Sequence, residues 1–348
     1  MQRITVAPGY EISRVIRGGW QLAGGHGAVD EEVAIDDMVA FADAGITTFD
    51  CADIYTGVED LIGRFRLRYR DLRGQAALDR VRVHTKFVPD LGVLPTITKA
   101  YVESVVDTSR KRLNLDRLDL VQFHWWDYEM PAWLDTLGWL KELQAEGRID
   151  KISGTNFDSD HVDAIIDAGI PFTSLQLQYS LLDRRPEKQM VTLAKRHDFS
   201  LFCYGTVAGG FLSDRWLGKP EPEHPLENRS LTKYKLIIDD LGGWELFQTL
   251  LSALRKIADR HSADIATIAS AAMLRKPGVS AVIVGARNRE HLGANLAIAS
   301  VELSAADLAE IDAALVGSAE LEGDVYTLER DRAGRHGSIM KYNLNKGE

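Results

Sequence analysis

The chain has 348 residues, of which 45% are hydrophobic and only 10 are prolines, so it can bury a large core and does not resemble a disordered protein. The formal net charge of −10 argues against nucleic acid or an anionic membrane as the main partner, although local cations can still hold an anionic cofactor. No secretory signal opens the chain and no run approaches 18 consecutive apolar residues, which predicts a soluble, cytoplasmic protein.

The predicted elements begin with a hairpin over residues 3–14 and a strand over 15–20. The glycine-rich run that follows, GGWQLAGG, is not a GxGxxG run opening a helix, so the dinucleotide fingerprint of a doubly wound sheet is absent. Helices and strands then alternate. Hydrophobic spacing predicts helices over 30–44, 57–70, 96–113, 131–146, 158–168, 186–197 and 288–298, and strands over 46–53, 81–88, 118–125, 149–156, 173–180, 199–205 and 279–284.

Eight strands counted from residue 15, each followed by a helix, predict a parallel α/β sheet covered by helices. Eight such units in about 300 residues fit one closed (β/α)8 TIM barrel, whose active site lies at the C-terminal ends of the strands. Two segments exceed the barrel's needs: a long loop over 209–243, after barrel strand 7, and the chain beyond 317. We expect a barrel over 1–316 and a C-terminal extension over 317–348 that packs on or near the barrel rim, with partial disorder as the alternative.

Reactive side chains stand at the ends of four predicted strands: Asp50 with Tyr55, Lys86, His124, and Thr155 with Asn156. Because the strand ends of a barrel share one face, this pattern predicts a single active face. A metal site is not predicted. Cys51 and Cys203 lie in predicted buried strands, where cysteine is usually a small core residue, and the histidines lack a Cys or HExxH partner.

Lys86 decides how Tyr55 is interpreted. An unpaired buried ammonium is costly, and Asp50 ends the preceding strand, so we expect an Asp50–Lys86 ion pair. Charges about 4 Å apart interact by roughly 4 kcal/mol at an effective dielectric near 20, which would lower the pKa of Tyr55 from about 10 toward about 7 as an upper bound, because desolvation opposes it. Such a phenol suits general acid catalysis. A purely structural ion pair beside a loop tyrosine is the alternative.

His124 lies in the aromatic run FHWW, where it is either a satisfied core histidine or a neutral imidazole that donates a hydrogen bond to a carbonyl beside Tyr55. The aromatic neighbours predict a mostly apolar substrate pocket. Because neighbouring residues of a strand face opposite sides, only one of Trp125 and Trp126 need face that pocket. The candidate substrate residues are Trp20, Tyr55, His124, Trp125 and Trp126.

Three motifs together, FDCADIY at 49–55, HTKF at 84–87 and LVQFH at 120–124, resemble the aldo-keto reductases over roughly residues 15–315. In that family an Asp, Tyr, Lys and His tetrad at the strand ends reduces carbonyls with a nicotinamide cofactor. The resemblance implies that Tyr55 is the proton donor, Lys86 its activator, Asp50 the anchor of Lys86, and His124 the group that orients the carbonyl.

The resemblance also implies a cofactor site in three parts. Thr155, Asn156 and Gln176 would hold the nicotinamide carboxamide, and Tyr204 would stack on the ring. The run GTVAGGFLS at 205–213 resembles the loop around the pyrophosphate, and VGARN at 284–288 resembles the start of the adenosine site. The implied cofactor residues are Gly18, Gly19, Trp20, Asp50, Thr155, Asn156, Gln176, Tyr204, Gly205, Val207, Gly209, Leu212, Arg215, Gly285, Ala286, Arg287, His291 and Asn295.

Departures from the family pattern bear on the choice of cofactor. Many members have a basic residue where this chain has Gly285 and an arginine where it has His291, and both usually contact the 2′-phosphate of NADP. Arg287 can compensate, because its planar fork binds phosphate bidentately; the alternative is that Arg287 only lies at the rim. Asp214 and Arg215 stand where a Gly-Lys pair is common. NADP is the expected cofactor, with NAD left open.

The sequence thus predicts an NADP-preferring aldo/keto reductase that reduces an aldehyde or ketone, or oxidises an alcohol or sugar by the reverse path. Two alternatives remain. One is a non-catalytic binding protein of the same fold that senses the nicotinamide cofactor. The other is a barrel hydrolase using Asp50, Asp53 or Glu59, in which Lys86 and Tyr55 would have no role. The expected partner is a small carbonyl or alcohol; oligomeric state and reaction direction stay open.

Overall fold

The computed structural model describes residues 1–23, 29–286 and 288–344. The strands in these residues are β1 (Arg3–Ala7), β2 (Tyr10–Ser13), β3 (Val15–Gly18), β4 (Thr48–Asp50), β5 (Arg82–Phe87), β6 (Leu118–Phe123), β7 (Ile149–Thr155), β8 (Phe172–Gln178), β9 (Ser200–Tyr204) and β10 (Val279–Gly285). The helices are α1 (Glu31–Asp43), α2 (Val58–Arg73), α3 (Gln75–Leu78), α4 (Lys99–Leu113), α5 (Trp133–Ala145), α6 (Ser159–Asp167), α7 (Met190–His197), α8 (Arg229–Leu241), α9 (Gly243–Arg260), α10 (Ile265–Met273), α11 (Leu292–Ile298), α12 (Ala305–Ala314) and α13 (Thr327–Arg330).

Strands β3 to β10 form the predicted barrel. They pair in parallel in the order β10-β3-β4-β5-β6-β7-β8-β9, and the sheet closes on itself. The pairing register aligns residues at the C-terminal end: Gly18 lies opposite Asp50, Lys86 opposite Gln122, and Thr155 opposite Gln176. The (β/α)8 fold is confirmed, and its register brings the predicted reactive residues to one face.

The predicted N-terminal hairpin is also confirmed, because β1 and β2 pair antiparallel. Its Tyr10 and Ile12 are 1% and 0% exposed and pack with the barrel-interior residues Leu120 and Phe202. Burial of side chains of this size stabilises a fold by roughly 1.5–3 kcal/mol each. The Tyr10 ring also stacks on His84 at 6.1 Å between centroids, so the hairpin closes the barrel end opposite the predicted site.

The predicted loop over 209–243 is wrong in its second half, which is helical. In α8, the residues Leu231, Tyr234, Ile238 and Leu241 recur at helical spacing and are all buried, and the side chain of Asn228 caps the helix by accepting from Leu231 N. The prolines and glycines of the preceding stretch obscured this period in the sequence. Helices α3, α9, α10, α12 and α13 were likewise not among the predicted elements.

The chain beyond residue 317 lies against the barrel as far as it is described. Leu321, Val325 and Tyr326 are buried, and Leu91 N donates to the carbonyl of Tyr342 at 2.8 Å. In the three described ranges, no helix has both the length and the apolar character needed to cross a membrane. The same ranges contain no group of three or more His, Cys, Asp or Glu side chains that could hold a metal ion.

Candidate active site

Asp50 and Lys86 form the expected ion pair at the centre of the active face. The Lys86 Nζ donates to Asp50 Oδ2 at 2.7 Å and to the carbonyl of Cys51 at 2.9 Å, and both side chains are almost fully buried. The other oxygen of Asp50 accepts from the side-chain amides of Gln122 at 2.9 Å and Gln176 at 2.6 Å. With both oxygens of its carboxylate bonded, Asp50 fixes the position of the Lys86 ammonium.

Tyr55 lies beside this ammonium. Lys86 Nζ is 4.9 Å from the centroid of the phenol ring, and the ring of Trp20 makes an edge contact with Tyr55 at 5.1 Å. The expected lowering of the Tyr55 pKa is wrong, because burial raises the pKa by more than Lys86 lowers it, and the Asp50 carboxylate raises it further. Tyr55 therefore remains a protonated phenol at neutral pH, as a proton donor must.

The ammonium itself stays charged. Burial alone would lower the pKa of Lys86, but the carboxylate of Asp50 outweighs it, and the net direction is upward from 10.5. A charged Lys86 can stabilise the phenolate that Tyr55 becomes when it gives up its proton, even though it does not make Tyr55 acidic in the resting state.

His124 is buried, and one of its ring nitrogens is bonded. Its Nδ1 lies 3.0 Å from the carbonyl oxygen of Thr155, and this oxygen can only accept, so the hydrogen-bond network assigns the ring proton to Nδ1. Burial, and then the charge of Arg330, lower the pKa of His124 to about 3. The neutral ring presents a lone pair at Nε2, which has no partner in the described residues. In this tautomer it accepts from a hydroxyl; the expected donation to a carbonyl requires a second ring proton.

The three tryptophans predicted to line the pocket separate into two groups. The side chain of Trp20 is 41% exposed, and its ring contacts the ring of Tyr55. Trp126 makes an edge contact with His124 at 4.3 Å between centroids. Trp125 is fully buried, and its indole nitrogen donates to main-chain carbonyls at 2.9 and 3.1 Å. The alternation along the chain therefore brings Trp126 to the site and Trp125 into the core.

The predicted nicotinamide residues cluster at adjacent strand ends. Asn156 has a left-handed backbone conformation, with φ of 62°, and its side-chain oxygen accepts from the hydroxyl of Tyr204 at 2.9 Å. Thr155 is buried and paired with Gln176, whose amide nitrogen is bonded to Asp50. Asn156 thus offers its amide nitrogen and Tyr204 its ring face beside the tetrad, a donor set that fits a nicotinamide ring and its carboxamide.

The residues predicted for the adenosine end of the cofactor differ in their exposure and in their contacts. The buried Asn295 has a side-chain nitrogen with no partner in the part of the chain that the structure describes, so it has capacity for a ligand. His291 is exposed, and the carbonyl of Ala286 accepts from Arg17 at 3.3 Å. A Cβ at Gly285 would lie 2.6 Å from the amide of Gln21. Arg287 falls outside the described residues.

Several predicted cofactor glycines lie close to other groups of the protein. A Cβ at Gly19 would lie 2.7 Å from the carbonyl of Asp50, and at Gly18 3.2 Å from Ile283. In the pyrophosphate loop, a Cβ at Gly205 would lie 2.3 Å from the hydroxyl of Tyr234 on α8, and one at Gly209 2.8 Å from the same ring.

Of the remaining predicted residues in or next to this loop, one is buried in the protein and one is exposed. Leu212 is fully buried, and its N–H donates to the carbonyl of Val207 at 3.1 Å. Arg215 is exposed and ion-paired with Glu227 at 2.5 Å, so the structure does not direct it to the barrel face. The role of Arg215 as a cofactor residue stays a prediction.

Sequence analysis missed Gln122 and the residues of the C-terminal segment. Gln122 was detectable, because it lies two positions before His124 on β6 and faces the same side. Arg330 of α13 donates to the carbonyl of Asn156 at 2.9 Å and to those of Trp125 and Trp126. It lies about 200 residues from these partners, and no local pattern signals such a contact.

The aromatic residues of the C-terminal segment complete the enclosure. The Tyr326 ring meets the ring of His124 edge-on at 5.7 Å, and the Tyr342 ring meets Trp126 at 5.1 Å. Glu329, on α13, accepts from Arg185 at 3.1 and 3.2 Å. The segment therefore covers the same face of the barrel that holds the tetrad.

Known proteins resemble this chain in sequence or in fold. Residues 14–316 match the model of the Aldo/keto reductase family. Aldo-keto reductase YhdN of Bacillus subtilis is 28% identical over 317 residues, which cover 88% of this chain and 91% of that relative. NADH-specific methylglyoxal reductase of Escherichia coli is 24% identical over 317 residues, covering 85% and 92%. The structure of a thermostable aldo-keto reductase, Tm1743, with the inhibitor epalrestat has the same fold, with a TM-score of 0.70 at 23% identity over 90% of this chain and 100% of that one.

Proposed function

Because the chain belongs to the aldo/keto reductase family, we propose that it interconverts an aldehyde or ketone and the corresponding alcohol with a nicotinamide dinucleotide. The observation that carries this proposal is the Lys86 ammonium, which Asp50 holds at 2.7 Å and which lies against the ring of Tyr55. A hydrolase using Asp50 would leave that cation without a purpose. The bound dinucleotide supplies or removes the hydride.

Tyr55 is the proposed proton donor. Its burial keeps the phenol protonated at neutral pH, so a proton is available for the substrate oxygen when the carbonyl carbon is reduced. The phenolate left behind is stabilised by Lys86, and Asp50 keeps Lys86 in position. In the reverse direction the same phenolate accepts the proton of the alcohol.

His124 is proposed to orient the hydroxyl form of the substrate. With the ring proton on Nδ1, the free Nε2 accepts a hydrogen bond from an alcohol hydroxyl but repels the lone pairs of a carbonyl. This arrangement favours the alcohol side of the reaction, so the carbonyl has to be held by Tyr55.

The cofactor preference proposed is NADP, with Arg287 as the ligand of the 2′-phosphate. A protein of net charge −10 needs a local cation for a group carrying nearly two negative charges. Arg287→Ala is then expected to weaken NADPH binding by roughly 1.5–3 kcal/mol, the range for hydrogen bonds to charged groups, and to leave NADH binding unchanged. Fluorescence titration of both cofactors measures this. Equal losses for both, or tighter wild-type binding of NADH, would make this an NAD enzyme. The Escherichia coli methylglyoxal reductase is named as specific for NADH.

The proposed reaction is tested by following the absorbance of NADPH and NADH with a panel of aldehydes, ketones and sugars, and of the two oxidised cofactors with alcohols. Multiple turnovers with any member support the proposal. Binding of the dinucleotide with at most one stoichiometric oxidation and no turnover across the panel would contradict it and favour the cofactor-sensing alternative.

A further inference from the structure

Lys233, on α8, brings a cation to the rim of the candidate active site. Its Nζ lies 5.3 Å from the ring centroid of Tyr204, the residue proposed to stack on the nicotinamide, and 5.5 Å from that of Tyr326. The Tyr326 ring in turn contacts the ring of His124 at 5.7 Å. The Lys233 ammonium is therefore connected through the Tyr326 ring to His124, the residue proposed to bind the reacting oxygen.

The ammonium of Lys233 has unused donors. None of the residues that the structure describes accepts a hydrogen bond from it, and the side chain is only 16% exposed. The nearest carboxylate, Glu329, is 3.8 Å away, and both of its oxygens already accept from Arg185. A largely buried ammonium with free N–H groups is unfavourable unless a ligand accepts from them.

Charged groups of both signs surround Lys233. The carboxylates Asp183 and Glu329 are paired with Arg185, which leaves Lys233 and Arg330 as two further cations near the Tyr326 ring. Arg330 donates to main-chain carbonyls and lies 3.9 Å above the Tyr128 ring, on which the carboxylates of Asp158 and Asp324 also act. An anionic ligand is therefore indicated by the unused donors of Lys233 and not by the net charge of the cluster.

We propose that Lys233 binds a carboxylate of the substrate while the reacting oxygen lies between Tyr55 and His124. The substrate class is then an aldehyde or ketone, or its alcohol, that also carries a carboxylate several bonds from the reacting carbon. The ring of Tyr326 lies between the two positions, so an aromatic or apolar spacer fits. This inference rests on the proposed function, and it assigns the anion to the substrate because Tyr326 joins Lys233 to the substrate side of the site.

The test uses Lys233→Met, which keeps the length of the side chain and removes its charge, with 4-carboxybenzaldehyde and its methyl ester as matched substrates. We expect kcat/KM for the acid to fall at least about 10-fold, mainly through KM, and that for the ester to change less than about 2-fold, because a charge-assisted hydrogen bond is worth roughly 1.5–3 kcal/mol. The control is Lys219→Met, which removes an exposed lysine from the same stretch, residues 209–243. Equal effects on acid and ester would overturn the proposal.

A second measurement does not depend on turnover. Benzoate binding, followed by tryptophan fluorescence with and without cofactor, is expected to weaken at least about 10-fold in Lys233→Met, while NADPH and NADH affinities stay unchanged. If cofactor affinity falls instead, Lys233 contacts a dinucleotide phosphate and the substrate assignment is overturned. If no carbonyl is turned over, the proposed function fails, and benzoate binding still decides the anion site. Turnover of the ester combined with unchanged benzoate binding defeats this inference alone.

Discussion

The two ends of the barrel each contain a tyrosine and a buried histidine, yet the surroundings of these residues differ. At the hairpin end, Tyr10 stacks on His84, and the hydroxyl and both ring nitrogens have no partners in the described residues. At the other end, Tyr55 adjoins a Lys86 ammonium fixed by Asp50, and His124 is bonded at one nitrogen and open at the other. The residue types alone do not make a site. What distinguishes the active end is a charge held in place by a partner.

The Lys86 ammonium, which Asp50 holds in place, is the first group to test by mutation. Lys86→Met leaves Asp50 buried without its counter-ion, so we expect the free energy of unfolding to fall by about 3–5 kcal/mol and turnover to be lost. In any residual activity, the basic limb of the pH–rate profile should move to higher pH, because the cation that lowers the Tyr55 pKa is gone. Urea unfolding and steady-state kinetics measure both effects.

The double variant Asp50→Asn with Lys86→Met separates stability from chemistry. It removes both charges, so much of the lost stability should return while turnover stays absent. Recovery of turnover in the double variant would show that the charged pair is structural and has no part in the reaction.

The two tyrosines provide the next comparison. Tyr55→Phe is expected to lower turnover by at least about 100-fold, the scale of a positioned acid, and to leave cofactor binding nearly intact. Tyr10→Phe removes a hydroxyl that makes no hydrogen bond in the described residues, and turnover should stay within about 2-fold of wild type. Similar kinetics for the two variants would remove Tyr55 from the mechanism.

The role of His84 can be tested through the free energy of unfolding at acid pH. Burial, together with the charges of Lys86 and Arg82, lowers the pKa of His84 to about 3. Between about pH 6.5 and pH 3 the unfolded chain binds a proton that the folded protein does not, so stability falls as the pH falls, by about 1.4 kcal/mol per pH unit for one histidine.

His84→Leu should therefore reduce the slope of the unfolding free energy against pH by about that amount in the same window. Urea titrations at pH 4 to 7 measure the difference. An unchanged slope in His84→Leu would mean that His84 is not the buried neutral histidine that the structure indicates.

Much of this fold was predictable because the barrel repeats one unit. Short β-branched strands and amphipathic helices alternate with a period that local physics dictates, and the tetrad residues end strands that must share a face. Helix α8 was missed because the prolines and glycines before it obscure the start of a helix whose period is otherwise regular.

The site was predictable only in its parts that lie close to strand ends. Asp50 and Lys86 lie at the C-terminal ends of β4 and β5, and Tyr55 and His124 follow β4 and β6, so their convergence follows from the fold. The direction of the Tyr55 pKa did not follow, because it depends on how far neighbours bury the phenol and on Asp50 offsetting the field of Lys86. Arg330 and Lys233 escaped detection for another reason: their contacts depend on how the segments outside the repeat fold back over it.

The seam between β3 and β10 has a consequence for biosynthesis. At this seam Val15 of β3 pairs with Val282 of β10. Strand β3 is the first barrel strand to be synthesised, and one of its two edges stays unpaired until β10, the last barrel strand, has been made. Chains fold from the N-terminus as they emerge, at about 5–20 residues per second, so this unpaired backbone edge is exposed for roughly a quarter of a minute or more during translation. An open strand edge is a template for pairing with other chains. Nascent copies of this protein are therefore expected to need chaperone protection until β10 has left the exit tunnel.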